Sequence, residues 1–423
     1  MNMHDSEKMI GVLSEIGYSP TENPADADLI IFNTCAIREK AEQKFYSQLG
    51  RTKILKRRNK DLKIAVAGCV AQDAKKKIFQ KAPFVDYILG PQNIHLINDL
   101  LSKNQDIAVE ENKAIALKEF TSKRQNILKA WVSIMYGCNN FCSYCIVPYT
   151  RGREVSRPSS SIVSEIKALA SQGYREITLL GQNVNSYRSD IGFADLLKRI
   201  DTLPIGRVRF VTSHPRDFSH DLINAFFELR SLCEHIHLPI QSGADSILKA
   251  MNRGYTYEEY SNKIRLLRDK IPDISITTDI IVGFPGESDE DHLDSVKALR
   301  ELDFDGIFAF KYSKRKGTRA CEMPGQISDH IKAERLAHIL RLQEEITYRK
   351  NQELEGTLQE VLIEGPSETD SKLLLGRTRT NKIVTIPNSS EEAGSLLSVR
   401  IQKARHHSLY GINTALETAL VSK

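Results

Sequence analysis

Three cysteines stand close together in the run Gly137-Cys138-Asn139-Asn140-Phe141-Cys142-Ser143-Tyr144-Cys145. The spacing C-x3-C-x2-C puts the thiols of Cys138, Cys142 and Cys145 on one short loop, just after a predicted strand. Three thiolates can ligate three irons of a 4Fe–4S cluster, one ligand fewer than a ferredoxin-type cluster takes. The fourth iron then keeps an open position, which is what a metal needs to bind and activate a small molecule. A zinc knuckle or chance clustering is the alternative. Zinc takes compact sets of four ligands, and His4 and His95 lie far away in sequence.

Cys35 and Cys69 each follow a predicted strand, 28–34 and 63–68. Parallel strands bring such ends together. Free cysteines are also among the most buried residue types, so two structural thiols are the alternative. Cys233 and Cys321 have no Cys or His at ligand spacing and read as ordinary residues. Polar and small residues follow other predicted strands: Gly181-Gln182-Asn183, Ser213-His214-Pro215, Gln241-Ser242-Gly243 and Gly283-Phe284-Pro285-Gly286. Each alone reads as a turn, since Gly, Asn and Pro dominate turns. Their shared position at strand ends makes them candidates for binding a small molecule. A lone His such as His214 is more often structural.

The elements that must position these residues fall into three series. The chain opens on an amphipathic helix over 5–17, with Met9, Ile10, Leu13 and Ile16 on one face. Strands over 28–34, 63–68 and 85–90 alternate with helices, which predicts an α/β layer with a mostly parallel sheet. An α/β unit usually begins on a strand, so a first strand is expected ahead of the opening helix; a domain that simply starts on a helix is the alternative. Residues 103–127 are polar and read as a linker. Strands are then predicted over 131–136, 176–181, 207–212, 235–239, 277–283 and 306–312, with helices such as 162–172 and 289–302 between them. Six β/α repeats predict an incomplete barrel, with chemistry at the C-terminal strand ends. The charged run 329–353 reads as a solvated connecting helix. From Gly356 the pattern becomes short strands over 358–363, 373–379, 382–386 and 397–404, a small β-barrel.

The whole chain is α/β with a β appendage. Its 423 residues exceed one ordinary domain, and 41% apolar with 27% charged residues fits a globular protein. Seven cysteines, an odd number, without a secretory signal exclude a disulfide framework as the first reading. No apolar run reaches the roughly 20 residues of a membrane span, so a cytoplasmic protein is expected. The net charge of +5 permits RNA binding without arguing for it.

The three-cysteine loop resembles that of radical S-adenosylmethionine enzymes, and the chain is similar nearly end to end to the methylthiotransferases among them. Asn33-Thr34-Cys35-Ala36-Ile37-Arg38 and Ala67-Gly68-Cys69-Val70-Ala71-Gln72 resemble their N-terminal motifs. Ser133–Cys142, Ile146–Glu154 and Gly376-Arg377-Thr378-Arg379-Thr380-Asn381-Lys382 resemble the type acting on N6-isopentenyladenosine in tRNA. The resemblance implies two 4Fe–4S clusters. Cys138, Cys142 and Cys145 would hold the one that cleaves S-adenosylmethionine to a 5′-deoxyadenosyl radical. Cys35 and Cys69 would hold an auxiliary, sulfur-donating one with a third cysteine. The family motif supplying that third cysteine matches here only from its Met onward, which gives the expectation of a late-assigned start or a truncated chain. Residues 279–287 resemble the segment that contacts the adenine of the cofactor. Gly181, Gln182, Asn183, Gln241 and Ser242 are expected at its methionine and ribose ends, with Gly283, Pro285 and Gly286 at the adenine.

The implied domains are 1–105 for methylthiotransfer, 124–353 for radical chemistry, and a TRAM RNA-binding barrel over 354–417. Lys372, Arg377, Arg379, Lys382, Arg400, Lys403 and Arg405 on that barrel, and Lys53, Lys56, Arg57, Arg58 and Lys60 on the first domain, are candidates for phosphate contact. Solvated faces are the alternative. The implied partners are a tRNA anticodon loop and a flavodoxin- or ferredoxin-type reductase, with the protein a monomer. Rival readings are methylthiolation of threonylcarbamoyl-adenosine or of a ribosomal protein, a truncated RNA-binding protein without that activity, and an electron carrier.

Overall fold

The computed structural model describes residues 1–35, 39–103, 106–118, 122–124, 126–388 and 391–415. The first layer is a parallel sheet of β1 (Leu29–Thr34), β2 (Lys63–Gly68), β3 (Tyr87–Leu89) and β4 (Asp106–Ala108), in that order. β2 alternates its faces with period two. Ile64 and Val66 pack with Phe45 and Leu49 of the helix Glu39–Arg58. Ala65 and Ala67 pack with Met9, Val12 and Leu13 of the helix Asn2–Glu15. β1 is an edge strand of the described sheet.

Part of the expected linker is structured. Asp106–Ala108 pairs with β3, and the turn Lys113–Leu117 buries Ile115 against Tyr136. A three-residue strand is too short to show a period in sequence.

The central domain contains β5 (Lys129–Ser133), β6 (Met135–Tyr136), β7 (Val155–Ser156), β8 (Glu176–Leu180), β9 (Arg207–Phe210), β10 (His235–His237), β11 (Ser275–Val282) and β12 (Gly306–Lys311). β5-β8-β9 and β10-β11-β12 are parallel, and a parallel bridge between Val208 and Leu232 joins the two sets. These six strands form the expected open barrel. β6 and β7 pair antiparallel beside its mouth. Capping boxes at Thr256 and Ser288 start the outer helices Tyr257–Lys270 and Asp289–Leu302.

The helix Asp329–Gln352 is not the solvated connector expected. It buries Ile339, Leu342 and Ile346 in the barrel core, and Gln343 donates to the Phe304 carbonyl at 2.8 Å. Lys332 and Arg335 are also buried on it, so charged side chains on the inward face hid the pattern.

The C-terminal barrel is closed, in the order β13 (Leu358–Pro366), β14 (Leu373–Thr378), β15 (Ile383–Pro387), β17 (Leu409–Asn413), β16 (Leu396–Ala404). β17 was not expected: a glycine interrupts its five residues. The barrel sits against the N-terminal starts of the central strands. Arg207 donates to the Arg377 carbonyl at 2.8 Å and to Glu360, while Arg209 reaches the Thr378 and Arg379 carbonyls at 2.8 Å each. The cysteine loop lies at the other end of these strands.

Candidate functional site

The three-cysteine loop leaves β6 through Gly137, whose φ is +74°. A Cβ there would stand 2.0 Å from the Arg153 carbonyl oxygen, so glycine is required. Cys138 donates its backbone N–H to the Gly152 carbonyl at 3.1 Å. Ser143 is clamped on three sides. Its N–H donates to the Met251 carbonyl at 2.9 Å, its hydroxyl to the Ala250 carbonyl at 2.8 Å, and its own carbonyl accepts from Ala320 at 2.8 Å. Phe141 takes φ +47°, packs edge-on to Tyr149, and carries the Arg153 guanidinium 4.2 Å from its ring centre.

Cys138 and Cys142 are buried and Cys145 half-buried. Burial pushes the Cys138 thiol up to about 11. Burial, and then the neighbouring Cys142, pushes Cys145 up to about 12. Three adjacent thiolates therefore need an added positive charge to coexist. Among the described residues no three His, Cys, Asp or Glu side chains converge on a single ion. A cluster puts each thiolate on a different iron and spreads its ligands wider than one ion does. Three thiols on one loop are the donor set that a 4Fe–4S cluster takes with one iron left to another ligand.

Sequence reasoning missed Arg253. The residue is 4% exposed, and its Nη1 lies 3.3 Å from Cys142 Sγ. It also donates to the Tyr255 hydroxyl at 2.9 Å, the Pro239 carbonyl at 2.8 Å and the Tyr144 hydroxyl at 3.4 Å. Its one signal in the sequence is the turn-like setting Asn252-Arg253-Gly254 after a short helix.

Several of the residues expected at the strand ends leave polar atoms unpaired. Both side-chain heteroatoms of Gln182 are buried without a hydrogen-bond partner among the described residues. So are Asn183 Oδ1, Ser213 Oγ, His214 Nε2 and Gln241 Oε1. Such atoms are costly unless a ligand or water satisfies them. Thr212 and Gln241 also take φ of +67° and +75°, the kind of backbone strain found at binding sites. His214 is bracketed by Asn185, and burial lowers it to about 2, so it is neutral at neutral pH.

Other expected residues make contacts within the scaffold. Ser242 faces Ser295 of an outer helix, and Gly181 packs closely on Met135. A Cβ at Gly283 would meet the Lys332 side chain at 2.3 Å, so the glycine makes room for that side chain. Gly286 donates to the Gly325 carbonyl, and Pro285 precedes it in a loop held by Glu287, which ion-pairs with Arg335 at 2.6 Å.

Cys35 and Cys69 are brought together. β1 and β2 pair Thr34 with Gly68, so each cysteine lies one residue past the last pair. Ala36, Ile37 and Arg38 of the same motif lie outside the described residues. Arg151 closes the short helix Val147–Arg151, which packs against the helix that Cys69 opens. Arg151 pairs with Asp5 at 2.8 Å and with Asn2 Oδ1 at 3.0 Å. Its helix starts two residues after Cys145. Ile146, between them, is buried in the core of the N-terminal sheet. One short segment therefore connects the two cysteine sets.

The basic residues divide. Arg377, Arg379 and Lys382 are engaged at the domain junction, with Glu364 at 3.0 Å, Glu234 at 2.8 Å and Asp305 at 3.0 Å. Arg400 donates to the Gly356 carbonyl at 3.1 Å. Lys372, Lys403 and Arg405 are exposed. On the first domain Lys56 pairs with Asp86 at 2.9 Å, while Lys53, Arg57, Arg58 and Lys60 are exposed.

Comparison with known proteins decides the family. The profile of the Radical SAM superfamily matches residues 132–299, that of Uncharacterized protein family UPF0004 residues 1–90, and that of the TRAM domain residues 352–413. The tRNA-2-methylthio-N(6)-dimethylallyladenosine synthase of Thermodesulfovibrio yellowstonii is 52% identical over 97% of this chain and 96% of its own length. Proteins of the same name from Syntrophus aciditrophicus and Caldicellulosiruptor saccharolyticus are 49% and 48% identical over 97% of this chain and 92% and 90% of theirs. The chain belongs to this synthase family. Family membership implies a 4Fe–4S cluster and S-adenosylmethionine. The fold is similar to that of the radical S-adenosylmethionine methyltransferase TsrM from Kitasatospora setae, with a TM-score of 0.56 at 15% identity, covering 84% of this chain and 77% of that one. Among the described residues no helix is long and apolar enough to cross a membrane.

Proposed function

We propose that this protein is a radical S-adenosylmethionine enzyme that places a methylthio group on C2 of N6-isopentenyladenosine beside the tRNA anticodon. The observation that carries the reading is the clamped loop of three thiols, Cys138 and Cys142 buried and Cys145 half-buried, in a barrel whose strand ends leave polar atoms unpaired. The three thiols hold a 4Fe–4S cluster and leave one iron free. When bound, the cluster supplies the electron that cleaves S-adenosylmethionine, giving a radical able to attack an unactivated aromatic C–H. Gln182, Asn183 and Gln241 offer buried donors and acceptors to the cofactor's polar groups. Ser213 and His214, the latter as a neutral ring, belong to the same wall.

Cys35 and Cys69 contribute ligands to an auxiliary, sulfur-supplying cluster, with the helix Val147–Arg151 packed against the helix that Cys69 opens. The cofactors are then S-adenosylmethionine and two 4Fe–4S clusters. Residues 1–105, 124–353 and 354–417 divide these tasks and RNA binding among themselves. Lys372, Lys403 and Arg405 are the barrel cations available to phosphates. An anticodon loop suits the chemistry because its bases can be splayed out cheaply. A flavodoxin- or ferredoxin-type reductase, a monomeric state and a cytoplasmic location complete the reading.

The test is nucleoside mass spectrometry on a deletion strain complemented with the wild-type gene or with Cys142→Ala. The expected result is 2-methylthio-N6-isopentenyladenosine restored by the first alone. Equal restoration by both would overturn the reading. Anaerobic iron counts of about eight support two clusters and about four support one.

A further inference from the structure

Arg253 presents a problem of charge. The residue is nine-tenths and more buried, and its guanidinium is always protonated and within 4 Å of no carboxylate among the described residues. Its polar neighbours are two tyrosine hydroxyls, one carbonyl and the Cys142 sulfur. Neutral partners do not compensate a buried cation, and an unpaired buried charge is strongly unfavourable. The missing anion must come from what the thiols bind. A 4Fe–4S core held by three thiolates is net anionic and gains one more negative charge on reduction.

We propose that Arg253 is the counter-ion of the loop cluster, donating an N–H···S hydrogen bond to the Cys142 thiolate and favouring the reduced state. This rests on the reading that Cys138, Cys142 and Cys145 hold a 4Fe–4S cluster. Hydrogen bonds to cluster sulfurs and nearby net charge set reduction potentials. A cation that gains attraction when one electron arrives raises the potential, which suits a cluster that must be reduced before it can act. Arg253 is a positioning residue: Pro239 and Tyr255 fix its plane, and Nη1 is turned to the sulfur.

The experiment uses full-length protein carrying Cys35→Ala and Cys69→Ala, reconstituted with iron and sulfide, so that only the loop cluster reports. Arg253→Met and Arg253→Lys are made in that background, and folding is checked by circular dichroism. Iron content is measured, and the one-electron midpoint is read by EPR during a redox titration. Arg253→Met is expected to hold the cluster with its reduction equilibrium shifted about tenfold toward the oxidised form, about 59 mV for one electron. Arg253→Lys, which keeps the charge, falls between it and the wild type. Cluster loss in Arg253→Met alone, with retention in Arg253→Lys, also supports the proposal, since charge is what the two differ in.

An unchanged midpoint in both variants overturns it. So does a raised KM for S-adenosylmethionine with the midpoint unmoved, which would make Arg253 a cofactor contact. Iron loss from both folded variants overturns it too, because the lysine keeps the charge. Absence of loop iron from the Arg253-containing protein itself would instead fail the reading of the three thiols.

Discussion

At the scale of single residues, the site depends on a backbone turn as much as on its thiols. Gly137→Ala places a Cβ against the Arg153 carbonyl and forces a left-handed φ on an L-residue, which alone costs roughly 1–2 kcal/mol. We expect this variant to lose most of the iron bound by the loop while the rest of the fold melts nearly as before. Iron analysis beside a thermal melt checks it, and full loop iron would contradict it. Cys138, Cys142 and Cys145 were legible because ligand spacing is local and leaves a mark in the sequence. Arg253 was not, because its meaning comes from a sulfur 111 positions away. Gln182 and Gln241 were singled out by position at strand ends, and only their unpaired atoms separate them from ordinary turns. Ser242 shared that position and turned inward.

At the scale of elements, the six central strands and the helix over 289–302 were read from periodicity because they are long enough to repeat it. β4 and β17 are too short or too interrupted to do so. The helix Asp329–Gln352 was misjudged because buried Lys332 and Arg335 occupy its inward face. The basic C-terminal barrel was read as an RNA surface from composition, yet two of its seven cations, Arg379 and Lys382, hold the barrel in place and Arg377 pairs within it. The docking depends equally on β9. Arg209 is 5% exposed and pairs with buried Glu176 at 3.0 Å. Arg209→Met leaves that carboxylate, among the described residues, with only Lys129 at 3.8 Å, so a loss of about 3–5 kcal/mol is expected. Limited proteolysis should then release the C-terminal barrel early; an unchanged cleavage pattern would refute the docking role. Arg151→Gln likewise strands buried Asp5. Faster proteolysis within the first sheet, with loop iron retained, is the expected signature.

At the scale of the whole molecule, buried histidines tie stability to pH. Burial lowers His214 to about 2 and His292 to about 4, and holds His4 and His235 well below the ordinary value. Above about pH 6.5 these rings are neutral in folded and unfolded chains alike. Below it the unfolded chain takes up protons that the fold refuses, so stability falls as pH drops toward 4. Each such proton is worth about 1.4 kcal/mol per pH unit. Burial holds the carboxyls of Glu154 and Glu287 up, which opposes this only closer to the carboxylate range. Urea denaturation between pH 7.5 and 5 should show a falling midpoint on the acid side; a flat profile would count against neutral buried rings. Ile146 carries a last consequence. It belongs by sequence to the radical domain, yet it fills the hydrophobic interior of the N-terminal sheet. A fragment cut at the apparent boundary near residue 105 would lack its own plug and expose an apolar hole. Divisions drawn from family likeness mark units of inheritance, whereas the unit that must fold cooperatively here runs across one of them.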